Sequence, residues 1–190
     1  MSTSINIRIA AALIAVTLVS VFAVRATSAA FSDQTSNDAN QFNAGTVILT
    51  DDDAGSALFD GSALLAPGDS QVGCIEVTYS GSLNAEVHIF GTDAGGTGLE
   101  AFLNLDVERG TGTCAAFVAD QTVWDNTADG DLGTFLTTAT NYATGADTWQ
   151  PVGGAPDDTV PYRITVTLQD NNGAQGLTST VNFIWEAQNI

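Results

Sequence analysis

Alternation with a period of two over Tyr162–Gln169 constrains this chain more than any other feature. Tyr162, Ile164, Val166 and Leu168 fall on one side, and Arg163, Thr165, Thr167 and Gln169 on the other. Such a run has one apolar and one wet face, as a strand at the boundary of a core requires. The pattern recurs in Ile75, Val77 and Tyr79, in Leu103, Leu105 and Val107, and in Val181, Phe183 and Trp185. Gly, Asp and Asn clusters separate these runs, which is the strand-and-turn signature of an all-β domain. Strands are expected at Thr46–Thr50, Val72–Ser80, Glu86–Phe90, Glu100–Glu108, Thr122–Trp124, Tyr162–Gln169 and Ser179–Glu186. The last two should form a hairpin across the loop that begins Asp170-Asn171-Asn172-Gly173. Only Asp131–Thr144 leaves room for a short helix. A chain of 190 residues suits one domain, and about seven short strands point to a single jelly-roll-like antiparallel β-sandwich over residues 44–190.

Charge narrows the function classes. Asp and Glu number 22 against 4 basic residues, all arginine, for a formal net charge of −18. Binding to nucleic acid or to anionic lipid needs clusters of Lys and Arg, so no nucleic-acid partner is expected. The apolar run Ile9–Val24 follows Arg8 and precedes the small residues Ala26–Ala30, the layout of a secretory signal. At about 1.5 Å per residue it spans roughly 24 Å, short of the roughly 30 Å hydrocarbon core of a bilayer. Residues 1–29 are therefore expected to be a cleaved signal peptide, with no direct membrane binding after cleavage and a secreted, extracellular or cell-surface location. A polar arm over residues 30–43 follows, with aromatic residues only at Phe31 and Phe42. Both cysteines, Cys74 and Cys114, lie in the exported part, where an isolated pair most simply forms one disulfide; two buried free thiols are the alternative.

Catalytic chemistry finds little support. His88 is the one histidine, which removes the usual zinc sets and leaves any Ser/His/Asp triad without a G-x-S-x-G turn. Alternation places it opposite Val87 and Ile89, as a solvent-facing strand residue. The run Asp125–Asp131 has Asp125, Thr127, Asp129 and Asp131 at positions one, three, five and seven and Gly130 at six, the oxygen spacing of a calcium loop. Leu136 occupies position twelve, where an EF-hand carries Glu, so calcium stands against ordinary Asp/Gly turns. Asp51-Asp52-Asp53 and Asp157-Asp158 are weaker candidates. Trp124, Trp149 and Trp185 are spaced too irregularly to imply one sugar-stacking platform, and Trp185 reads as core.

Four landmarks then occur in order: Ala29-Ala30-Phe31-Ser32-Asp33 at the signal junction, Phe42–Leu49 opening the first strand, the turn Leu65-Ala66-Pro67-Gly68-Asp69, and the final strand Phe183–Ala187. Together they resemble the TasA/camelysin family of secreted bacterial proteins. The resemblance implies a jelly-roll sandwich, export through a SipW-type signal peptidase, and self-association into biofilm-matrix filaments. In that arrangement the segment after the signal peptide is a donor strand for the neighbouring subunit. By position it comprises Phe31, Ser32, Asp33, Gln34, Thr35, Ser36, Asn37, Asp38, Ala39 and Asn40. Camelysin-type members are also described as metalloendopeptidases, an activity that one histidine and no zinc motif leave unsupported here. The absence of lysine and the presence of Cys74 and Cys114 depart from the pattern. A secreted structural subunit, not an enzyme, is therefore expected, with a secreted metallopeptidase or a cell-surface binding module as alternatives.

Overall fold

The computed structural model describes residues 43–62 and 64–190. The expected signal peptide and the donor segment Phe31–Asn40 lie outside the described residues. Eight strands carry the fold: β1 (Leu49–Asp51), β2 (Ser70–Tyr79), β3 (Ala85–Gly96), β4 (Leu103–Thr111), β5 (Val118–Trp124), β6 (Ala146–Trp149), β7 (Asp158–Leu168) and β8 (Ser179–Asn189). They form two antiparallel sheets, one in the order β1-β2-β7-β4-β5 and one in the order β6-β3-β8. The result is an all-β sandwich, as the alternation implies.

The core is drawn from the inward residues of both sheets. Ile75, Val77, Leu105, Val107, Tyr162 and Ile164 from the larger sheet meet Val87 and Ile89 from the smaller one. Each is at most 4% exposed, so burying such a side chain contributes about 1.5–3 kcal/mol apiece. The short helix α1 (Leu132–Thr138) closes one region of the core. Asp131 starts it by accepting from the Thr134 amide at 2.8 Å, which satisfies one of the amides that a helix start leaves open. Phe135 of α1 is fully buried and meets Trp124 edge-on at 5.0 Å and Phe183 at 6.0 Å. The helix reaches this depth because Gly91 of β3 has no side chain; a Cβ there would stand 2.7 Å from Leu136 and 2.9 Å from Phe135.

Several boundaries move. Asp131–Thr144 does hold a helix, but it stops at Thr138 and is followed by a single 3-10 turn, Tyr142–Thr144. The strand expected from Glu100 begins at Leu103, because Leu99–Phe102 is a 3-10 turn. The hairpin expected between Tyr162–Gln169 and Ser179–Glu186 is wrong. β7 pairs with β2 and β4, whereas β8 crosses to the other sheet and pairs with β3 along its whole length. Both strands carry an inward apolar face, so each can wall the same core from opposite sides; sequence adjacency and a plausible loop did not distinguish pairing from crossing.

Candidate functional site

The most site-like feature among the described residues lies where the two sheets part, between edge strand β1 and edge strand β8. Leu49, Thr50, Asp51 and Asp53 form one wall of a cleft of about 260 Å³, Ile75 and Val77 of β2 its floor, and Phe183, Ile184 and Trp185 the wall from β8. β1 is three residues long and covers little of β2. β8 extends for 11 residues with β3 as its one neighbour in the sheet. None of its residues is fully buried, although Val181, Phe183, Trp185 and Ala187 all pack against the core. The two buried side-chain polar atoms that lack a partner among the described residues, Ser179 Oγ and Trp185 Nε1, both belong to this strand.

The edges differ in how they are protected. β1 and β6 are short, and the pairing of β5 with β4 shifts register twice; short and irregular edges discourage further pairing. β8 has neither proline nor a basic residue, two common protections of a long edge. Sequence reasoning missed this cleft. The available signal was the triplet Phe183-Ile184-Trp185, where period-two alternation fails and an apolar residue also occupies the outer face.

Carboxylates mark the mouth of the cleft. Partial burial and the nearby Asp53 carboxylate push the Asp51 carboxyl above its ordinary value. Asp52 accepts from the Glu76 amide at 2.8 Å, and Asp53 accepts from the Gly55 amide at 2.7 Å in the turn that ends β1. The run Asp51–Asp53 thus terminates a strand and shapes a turn.

The other sequence candidates sit elsewhere. In the proposed calcium run, Asp125 Oδ1 accepts from the Thr127 amide at 2.7 Å and its hydroxyl at 2.6 Å. Asp129 accepts from the Asp125 amide at 2.9 Å, and Asp131 caps α1. Among the described residues no group of three or more His, Cys, Asp or Glu side chains is placed to hold a metal ion. Cys74 and Cys114 are joined in a disulfide with Cα atoms 5.6 Å apart. The bridge holds the segment 112–117 over the outer face of the larger sheet, helped by the Cys114 amide donating to Glu76 at 2.7 Å. Arg163 adds to this by lying over the Phe117 ring at 4.3 Å while pairing with Glu108.

His88 is less open than expected. It does face away from Val87 and Ile89, but its side chain is 14% exposed because Tyr142 packs on it with ring centroids 4.4 Å apart. Its Nε2 lies 2.7 Å from Glu86; that bond and one from Gln150 hold the Glu86 carboxyl below its ordinary value. Trp124 and Trp149 are core residues, and half-buried Trp185 packs edge-on against Tyr162 at 5.4 Å, so the tryptophans form no common platform. A buried polar clamp, which sequence reasoning did not single out, joins the sheets. Asp147 of β6 accepts from Arg109 of β4 at 2.5 Å and from the Tyr162 hydroxyl of β7 at 2.7 Å. Asp147 adopts a left-handed φ of 69°. Burial first, and the Asp147 charge second, push the Tyr162 hydroxyl well above its ordinary value.

Neither a protein-family model nor a curated protein matches the chain.

Proposed function

We propose that the chain is a secreted structural subunit that associates with copies of itself into extracellular filaments by strand donation. The observation that supports this reading best is β8, an 11-residue edge strand beside a cleft of mixed apolar and carboxylate lining. An unpaired edge offers a row of amides and carbonyls to an incoming strand. The arm Phe31–Asn40 supplies such a segment, and giving it to the next copy makes a head-to-tail contact that propagates instead of closing. The jelly-roll route of the chain, export by a SipW-type signal peptidase and a biofilm-matrix setting belong to the same proposal and rest on the TasA/camelysin resemblance.

Energetics make assembly conditional. Ladder hydrogen bonds at about 1 kcal/mol each and burial of Phe31 at about 2 kcal/mol favour it. Ordering some ten residues at about 1–2 kcal/mol each opposes it, as does repulsion between copies of charge −18 before processing. Salt, and divalent cations such as calcium, should therefore promote filaments by screening.

The test compares the mature protein with a chain starting at Asn43, by sedimentation and electron microscopy across salt and calcium. Filaments from the mature protein and none from the shorter chain are expected. Identical filaments from both, or a monomer under every condition, would sink strand donation. Chelator-sensitive casein cleavage by freshly purified protein would favour a peptidase instead.

A further inference from the structure

Leu49 and Asp51 stand two residues apart in β1 and so face the same way. Leu49 packs against the core, and the next position on that face holds a carboxylate, opposite Val77 of β2, which is 1% exposed. A polar group where the strand pattern calls for an apolar one is a local conflict, and such conflicts gather at functional sites. Burial, a hydrogen bond to Asp53 and the Asp53 charge push the Asp51 carboxyl above its ordinary value. The basic side chains among the described residues are committed elsewhere: Arg109 to Asp147, Arg163 to Glu108 and His88 to Glu86. We infer that the cleft between β1 and β8 is a docking site for a lysine or arginine side chain carried on an extended segment of a different protein. The inference goes beyond strand donation and does not depend on it.

The lining of the cleft matches such a side chain from stem to head. Its volume of about 260 Å³ equals roughly nine waters at their liquid density, room for one long side chain and not for a further layer of structure. Ile75 and Val77 on the floor and Phe183 on the β8 wall suit an aliphatic stem, while the charged head stays at the mouth with Asp51 and Asp53. The main chain of the segment finds partners along the edge of β8, which has β3 as its one neighbour in the sheet. In strand addition the edge supplies hydrogen bonds, and a pocket for a side chain supplies selection.

Charge decides against a second copy as the source of that side chain. The chain has no lysine, Arg8 and Arg25 fall in the segment 1–29 expected to be removed, and the arm Phe31–Asn40 has no basic residue and carries Asp33 and Asp38. A partner rich in lysine or arginine is also drawn toward a chain of net charge −18 by long-range attraction. Under strand donation, the subunit at the end of a filament keeps its edge and cleft open to such a partner.

The experiment uses the mature full chain at low salt and two peptides, acetyl-Thr-Val-Lys-Val-Thr-amide and the same peptide with norleucine for lysine, which keeps the stem and removes the charge. Binding is followed through backbone amide NMR shifts. The lysine peptide should bind about tenfold more tightly than the norleucine one and should shift the amides of Asp51, Asp53 and Ile184 most. Asp51→Asn combined with Asp53→Asn should erase that preference; asparagine keeps the oxygen that accepts from the Gly55 amide. Asp120→Asn combined with Asp170→Asn removes the same charge from exposed positions and should preserve it. If the first pair does not fold, the lysine and norleucine comparison and its shift map decide. Equal binding of the two peptides, no binding of either at millimolar concentration, or the same loss in both double variants overturns the inference. Putrescine displacing the lysine peptide at equal concentration would assign the cleft to a free amine and overturn a protein partner. Failure of the mature protein to form filaments overturns strand donation alone and leaves this inference standing.

Discussion

β7 and β8 are the same length, 11 residues each, and follow one another in the sequence, yet they live in different surroundings. β7 is flanked by β2 and β4, and its inward residues Tyr162, Ile164, Val166 and Leu168 are at most 7% exposed. β8 is flanked by β3 alone, and its inward residues remain half-buried. Alternation therefore reports which side chains face a core. It does not report whether both strand edges are occupied, because backbone pairing leaves no trace in side-chain period.

The largest expected effect on this contrast comes from the disulfide on the β7 side. Cys74 stands opposite Arg163 of β7, and its bridge to Cys114 spans 40 residues. Cys114→Ser should cost about 4 kcal/mol by loop-closure entropy, measured by urea unfolding with and without reductant. Equal stability of the reduced and oxidised protein would refute this. A smaller effect separates the two strands directly. Ile164→Ala in β7 should cost about 3 kcal/mol, while Val181→Ala in β8 should cost about 1 kcal/mol, since a half-exposed valine forfeits only part of its transfer energy. Comparable losses would mean that β8 is as enclosed as β7 in solution.

The smallest effect concerns pH and β1, across the cleft from β8. A carboxyl raised in the folded state disfavours folding while ionised. Stability should therefore rise as pH falls from about 7 through the folded-state value of Asp51, and level off below its unfolded value. Asp51→Asn should be more stable than the parent at neutral pH and should lose this part of the acid response. Glu86 runs the other way: its lowered carboxyl contributes stability above its unfolded value that is lost as pH falls through the folded one. Thermal melts of both single variants, Asp51→Asn and Glu86→Gln, across pH separate the two signs.

Much of the sandwich was legible because inward positions repeat every second residue in β2, β4 and β7, where Ile75, Leu105 and Ile164 are nearly inaccessible. The Cys74–Cys114 pairing was legible because the chain has two cysteines, each with one possible partner. β6 was missed: Ala146–Trp149 is four residues long, too short to display a period. The β7–β8 hairpin failed because partner choice depends on the opposite sheet, which no local pattern encodes. The cleft and the Arg109–Asp147–Tyr162 clamp escaped for a related reason, since each brings together residues from several strands far apart in the chain. In the Asp125–Asp131 run, metal-ligand spacing and helix-capping chemistry draw on the same short acidic side chains, and in this structure those oxygens already hold backbone amides.

The clamp at Asp147 also bears on how the molecule carries mechanical load. It is the ion pair among the described residues that links one sheet to the other, with a carboxylate side chain only 2% exposed. A pull delivered to the β6-β3-β8 sheet tends to slide it over its partner, and apolar side chains resist sliding weakly because their contacts have no direction. Asp147 resists it with two directed, charge-assisted bonds that must stretch together, one to each of two neighbouring strands, β4 and β7. Shear between the sheets is thus resisted at one bolt near the middle of the larger sheet.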